Sequence, residues 1–172
     1  GSAAIVTPGL SRLILSGKDG GFRLAGVPGG TYIFCVHGME NLHLASCEWG
    51  RGSTYVSVAR AASAETGPFN LERGEYIVLE IEDKANRLEG KPLPFGFMTA
   101  GGAFKRPSPI RNTGAVRQYG ILVPRTQPLR FRVETRTAVR DQRGQLLPAI
   151  ADLEPLLERS PGLPARLRLF LD

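Results

Sequence analysis

Glycine and proline interrupt the apolar segments of this sequence at short intervals. Its 172 residues include 21 Gly and 13 Pro. Both residues break regular elements, so this spacing favours short strands joined by turns over long helices. Apolar and polar residues alternate with period two in several segments, which is typical of half-buried strands: 11–16, 41–49, 53–59, 128–136 and 165–172. The sequence therefore predicts an all-β chain built of tandem small antiparallel β-sandwiches, with one larger sandwich as the alternative.

One segment departs from this pattern. Leu153, Leu156 and Leu157 recur at helical spacing within 147–160. Pro155 limits any helix there to one or two turns. We expect at most one short helix, near 149–158.

The length is sufficient for two small domains. We place the first at residues 1–72 and a second, divergent sandwich at 73–172. Charge is divided unevenly: residues 1–86 contain 7 basic and 9 acidic side chains, whereas residues 87–172 contain 15 basic and 7 acidic ones. The basic surplus indicates either an anionic partner or the arginine bias of a GC-rich genome.

The segment GGFRLAGVPGGTYIFCV, residues 21–37, predicts a hairpin. Phe22 and Leu24 share one face of a first strand, and Tyr32 and Phe34 share one face of a second. Pro28 and Gly29 between them suit a type II turn, in which the glycine takes a positive φ. We expect the four apolar side chains to be buried together.

The same segment resembles the signature of carboxypeptidase regulatory-like domains. The matching turn and core residues are Gly21, Phe22, Leu24, Gly26, Pro28, Gly30 and Tyr32. The resemblance covers about residues 10–72, and a weaker echo lies in 69–94. It implies a seven-stranded, transthyretin-like sandwich in a bacterial protein exported to the periplasm or cell surface. It does not choose among structural, adhesive and accessory roles.

Two cysteines, Cys35 and Cys47, lie on either side of a predicted loop. We predict that they form a disulfide, which suits an exported protein. Free thiols are one alternative. Another is a Cys2His2 metal set with His37 and His43, but the spacing matches no zinc-finger pattern. We expect no metal and no cofactor.

The sequence offers no recognisable catalytic apparatus. No serine or cysteine near the two histidines lies in a nucleophile-elbow context. Glu80 and Glu82 share one face of a strand, but the apolar side chains of that strand occupy the other face, so these acids are expected to face solvent. We therefore predict that the chain is not an enzyme.

Arginines alternate with apolar residues in PLRFRVETR, residues 128–136. Arg130, Arg132 and Arg136 are predicted on the outer face of a strand whose inner face carries Phe131. The guanidinium fork suits carboxylate, sulfate or phosphate groups. The alternative is a solvated face that discourages edge pairing. Nucleic acid is not expected, because it would need aromatic side chains on the same exposed face.

Trp49 is the last binding candidate. An exposed tryptophan can stack on a sugar ring, and the alternative is that it closes one end of a sandwich core.

These observations predict a non-catalytic exported protein that serves as a structural or interaction module at the bacterial cell surface or in the periplasm. The alternatives are a binding module for anionic extracellular polysaccharide, or an accessory domain of a peptidase or outer-membrane receptor. Partners would be protein or polysaccharide. No apolar run reaches the roughly 18 residues that a membrane helix needs, so no membrane span is expected.

Overall fold

The computed structural model describes residues 2–7, 10–38, 42–50 and 54–172. Within them the chain is all-β, as predicted: strands dominate, and the helical content is a single 3₁₀ turn. The chain divides into two compact units, Gly1–Arg73 and Gly74–Asp172, called here the first and second unit.

The first unit contains one antiparallel sheet. Its strands are β1 (Ser2–Thr7), β2 (Leu10–Leu15), β3 (Gly30–His37) and β4 (Thr54–Val58). They are arranged in the order β2-β1-β3-β4, so β3 lies inside the sheet and carries hydrogen bonds on both edges. The described part of this unit thus has four strands in one sheet, where the family resemblance implies seven.

An aromatic cluster forms the core of the first unit. Tyr32, Phe34 and Val56 are buried. The rings of Phe22 and Phe34 stack at 5.9 Å, and Phe69 lies 6.4 Å from Phe34. Leu24 and Val27 also pack against the cluster. The predicted packing of these apolar side chains around Phe34 is confirmed, with Phe22 and Leu24 partly buried.

The predicted hairpin is wrong in its backbone. Residues 21–25 form no strand, and this segment covers the core through side chains. The predicted turn also differs, because the positive φ of 66° belongs to Gly26 and not to Gly29. Gly29 is needed for another reason: a Cβ there would meet the backbone nitrogen of Arg60 at 3.1 Å.

Two further contacts shape the first unit. Tyr32 donates its hydroxyl hydrogen bond to the carbonyl of Pro28 at 2.6 Å, which ties the turn to the strand. The alternating segment around 42–49 forms turns and one isolated bridge at His43, not the strand that its pattern predicts. Here Leu44 and Ala45 are buried next to each other, which an alternating strand exposed on one face would not allow.

The second unit contains nine strands. They are β5 (Glu75–Glu82), β6 (Phe95–Thr99), β7 (Phe104–Lys105), β8 (Ser108–Thr113), β9 (Val116–Val123), β10 (Leu129–Val133), β11 (Val139–Asp141), β12 (Ile150–Asp152) and β13 (Ala165–Leu171). One sheet has the order β12-β10-β6-β7 and the other β11-β13-β5-β9-β8. All pairings are antiparallel except that of β5 with β13, which is parallel.

The core of the second unit is formed by the inner faces of these two sheets. Phe95, Phe97 and Phe131 of the smaller sheet are fully buried, and so are Ile77 and Leu79 of the larger. Alternating burial along β5 and β13 leaves polar residues on the opposite face. This is the inside–outside pattern of a two-layer sandwich.

The short helical element is smaller than its leucine spacing suggests. Residues Glu154–Leu156 form a 3₁₀ turn directly after β12. Pro155 occupies the start of that turn, where its missing N–H costs nothing. Leu153 and Leu156 are buried. The helical spacing of these leucines therefore results from core contacts made over a single turn.

Candidate anion-binding face

Strand β10 presents arginine outward. Arg130 and Arg132 are exposed, whereas Phe131 between them is fully buried. The two guanidinium groups therefore lie on one face of the sheet, as the alternation predicts.

The arginines do not protect a sheet edge. Strand β10 is paired on both sides, with β6 and with β12. Edge protection therefore does not apply to this strand. A solvated face stays an alternative to anion binding, because Arg130 and Arg132 are exposed and pair with Asp152 and Glu134.

Two arginines lie over one aromatic ring beside this strand. The guanidinium carbons of Arg106 and Arg132 lie 5.2 and 5.7 Å from the ring centre of Phe104, which is cation–π distance. Gly96 makes the arrangement possible, because a Cβ there would collide with the Phe104 ring. Glu134 pairs with both arginines, so three charged groups and one ring form a single cluster.

A cleft of about 550 Å³ adjoins this cluster. Arg106 lines it together with Lys91, Arg111 and Arg117. Among the described residues, no carboxylate lines the cleft itself, although Glu134 and Asp83 pair with two of its arginines, Arg106 and Arg117. Its other lining residues are Leu93, Pro107, Pro109, Ile110, Asn112, Gln118 and Tyr119. Arg106 thus belongs to both the outer cluster and the cleft.

A bulge in the edge strand shapes one wall of the cleft. The pairing of β8 with β9 shifts register between Pro109 and Arg111. Ile110 is the extra residue and is 51% exposed. Bulges of this kind redirect side chains and block further pairing at an edge.

The floor of the cleft is held by a buried ion pair. Arg117 is 8% exposed, and its Nε lies 3.7 Å from Oδ2 of Asp83, which is 1% exposed. The carboxylate of Asp83 also accepts the backbone N–H groups of Arg87 and Leu88, both at 2.8 Å. Asp83 therefore fixes both Arg117 and the loop that leads to Lys91.

The sequence patterns did not identify several residues of this cleft. Lys91, Arg106, Arg111 and Arg117 come from four separate segments, and no spacing links them. The general basic surplus of residues 87–172 is the signal that pointed toward them.

Two other predicted binding residues, Arg136 and Trp49, belong neither to the arginine cluster nor to the cleft. Arg136 is exposed but follows the end of β10, in a bend. Trp49 is 7% exposed and has a positive φ of 62°. A buried ring offers no face for a sugar, so the position of Trp49 does not support stacking on a sugar.

The acidic residues of β5 serve ion pairs. Glu80 accepts a hydrogen bond from Gln118 at 2.9 Å and lies 3.4 Å from Arg168. Glu82 lies 2.7 Å from Lys84, and this hydrogen bond raises the pKa of Lys84. These partners indicate that Glu80 and Glu82 form ion pairs on the solvated face of the sheet.

Another group of charges lies beside the start of β5. The pKa of Arg159 is also raised, mainly by its hydrogen bonds to Glu154 and, to a smaller extent, by those to Glu75. These pairs fasten the segment after the 3₁₀ turn to the beginning of β5.

The two cysteines of the first unit form a disulfide, as predicted, with a Cα–Cα distance of 5.2 Å. In the described part of the chain, no helix is long and apolar enough to cross a membrane. Comparisons with family models, curated proteins and solved structures return no match. The described chain is an all-β protein with one disulfide.

Proposed function

We propose that this protein is a non-catalytic, exported module of the bacterial cell envelope whose second unit binds anionic polysaccharide. The observation that carries the proposal is the basic surface formed by Arg130, Arg132 and Arg106 with the adjoining cleft. Carboxylate or sulfate groups repeat along such polymers. A row of separated cations can pair with several of them at once, which raises affinity without any one deep pocket.

The state of the individual side chains supports this function. Arg130 is 58% exposed and its partner Asp152 is 81% exposed, with 3.8 Å between Nε and Oδ1. A pair this exposed contributes little, so an incoming anion can replace the carboxylate. Arg111 lines the cleft and is exposed, which leaves its planar fork open to a bidentate ligand.

Export is supported by the disulfide, because such bonds persist in oxidising compartments. We also propose that the first unit is related to carboxypeptidase regulatory-like domains. The support is the shared burial of Phe22, Leu24, Tyr32 and Phe34. The strand count and the irregular segment 21–25 depart from that family's pattern.

Affinity chromatography on a sulfated and on a carboxylated polysaccharide tests the binding function. We expect two double variants to elute at lower salt than the parent chain: Arg130→Gln with Arg132→Gln on the sheet face, and Lys91→Gln with Arg111→Gln in the cleft. The matched control is Arg23→Gln with Arg60→Gln, which removes the same charge from exposed positions of the first unit.

Equal losses in all three variants would show that net charge alone causes retention, and would contradict the proposal. A parent chain that is not retained on either polymer would favour the second candidate, a structural spacer or accessory domain. The two-layer core of the second unit is the observation that supports such a spacer.

A further inference from the structure

Three potential metal ligands converge at the end of strand β3. The Sγ atoms of Cys35 and Cys47 and an imidazole nitrogen of His37 all lie within 4.8 Å of one another. Nε2 of His37 is 3.3 Å from Sγ of Cys35. Cys35 is buried, whereas the other two are partly exposed, so solvent and ions can reach the group.

The order of residues explains why these side chains meet. Cys35 and His37 are two apart on one strand, so both project from the same face. Cys47 is brought to them by the segment 42–50, which folds back against β3. His43 is exposed, and its backbone pairs with Arg73. The group that converges is therefore not the four-residue set suggested by the sequence.

The segment that carries Cys47 is held by contacts other than the disulfide. Ser46 accepts a hydrogen bond from the Val36 N–H through its hydroxyl and donates its own N–H to the Val36 carbonyl, both at 3.0 Å. The N–H of Leu44 donates to the carbonyl of Glu72 at 2.9 Å. Leu44 and Trp49 are buried on either side of Cys47. These contacts do not depend on the sulfur–sulfur bond, so we expect Cys47 to stay beside Cys35 when that bond is broken.

We propose that reduction of the Cys35–Cys47 disulfide converts this group into a Zn²⁺ site with Cys35, His37 and Cys47 as ligands. Two thiolates and an imidazole are ligand types that zinc prefers, and three protein ligands leave a fourth position for water. The disulfide and the metal exclude each other, because the same sulfur atoms serve both. The site would therefore release its metal on oxidation.

A dithiol can serve as the reductant of the Cys35–Cys47 disulfide. The dithiol supplies two electrons and two protons, the S–S bond breaks to give two thiols, and the dithiol closes to its own disulfide. Zn²⁺ then forms two bonds to sulfur and one to nitrogen, and the two thiol protons are released.

The test uses the full chain in both redox states. Oxidised and reduced protein, each freed of reductant without air, are titrated with Co²⁺ as a spectroscopic probe and then with Zn²⁺. We expect the reduced chain to bind a single ion, with thiolate-to-cobalt charge transfer and the intense visible bands of tetrahedral Co²⁺. The oxidised chain should show neither.

Two histidine variants make the test specific. His37→Ala should weaken Zn²⁺ binding by at least about tenfold, the lower bound for losing even an outer-shell partner of a metal ligand. His43→Ala, the matched control, should bind as the parent does. Equal affinities in the two variants, or no binding by the reduced chain, would overturn the proposal.

The fluorescence of Trp49 monitors the fold during the titration. It is the single tryptophan of the sequence and is buried in the segment that carries Cys47. A native spectrum after reduction is expected. Loss of that spectrum would overturn the proposal too, because the site requires the segment to hold its place.

Discussion

The aromatic cores of the two units are buried to different extents, although the first unit also contains a fully buried leucine, Leu44. In the second unit, Phe97, Phe131 and Leu79 are completely inaccessible, since one sheet covers the other. In the first unit, Tyr32, Phe34 and Val56 remain 5–9% exposed, because one described sheet is covered by a turn-rich segment and by Phe69. The cysteines occur only in the first unit. The disulfide therefore adds a covalent link to the unit whose aromatic cluster is less completely buried.

Removal of a core ring from the second unit should have the largest effect. Phe131 packs on Phe95 and Phe97 at 5.8 and 5.3 Å between ring centres. Phe131→Ala should lower the free energy of unfolding by about 3–5 kcal/mol, through lost contacts and the cavity left behind. Urea unfolding followed by far-UV circular dichroism measures it.

Trp49, the single tryptophan, lies in the first unit, so its fluorescence reports on the unfolding of that unit alone. Phe131→Ala should leave the fluorescence transition in place, whereas Phe34→Ala should move it. If both probes shift together in both variants, the units unfold as one, and the contrast between their cores does not govern stability.

Loss of the buried carboxylate in the second unit should cost nearly as much. Asp83→Ala leaves the Arg117 cation buried without its counter-ion and two backbone N–H groups without an acceptor. We expect a loss of about 3 kcal/mol in the free energy of unfolding. Asp152→Ala, which removes an exposed partner of Arg130, should change it by less than about 1 kcal/mol. Similar values for the two variants in thermal unfolding would contradict the assigned role of Asp83.

Breaking the disulfide should act on the first unit only. The bond spans 12 residues. A loop of that size gives about 2–3 kcal/mol of stabilisation in the chain-entropy model. Cys35→Ser with Cys47→Ser should shift the Trp49 transition to lower urea and leave the transition of the second unit unchanged. An unchanged Trp49 transition would show that the contacts of Ser46 and Leu44 suffice.

Substitution of one glycine in the first unit should have the smallest effect on stability. Gly26 has a φ of 66°, so Gly26→Ala should destabilise by about 1 kcal/mol through a left-handed conformation that L-residues avoid. Gly67→Ala is the control, since nothing lies within 4 Å of its added methyl group. The difference in urea midpoint between the two variants checks it. Equal midpoints would mean that the turn relaxes without cost.

Two strands of the second unit, β10 and β13, follow from local alternation, but the pairing of its segments does not. Alternation correctly indicates β10 and β13, and it places Phe131 inside and Arg132 outside. It cannot show that β10 lies inside a sheet, because pairing with β6 and β12 depends on residues far away in the chain. For the same reason the sequence indicates arginines on β10 and not the cleft.

In the first unit, the residue types predict the core better than the backbone. Phe22 and Leu24 pack where their alternation suggests, yet residues 21–25 form no strand. Glycines on both sides allow this segment to follow the core without ladder hydrogen bonds. The alternation around Leu44 and Ala45 is also misleading, because contacts with β3 and with Glu72 override it.

The parallel pairing of β5 with β13 determines how the second unit would respond to tension. These are its first and last strands, in register from Ala165 opposite Ile77 to Phe170 opposite Glu82. A force that separates residue 75 from residue 171 slides the two strands past each other, so the evenly spaced bonds of this ladder bear the load together. A hairpin such as β8 with β9, pulled at its open end, would give way one bond at a time. Along this direction we expect the second unit to resist a higher force than it would along the β8–β9 hairpin.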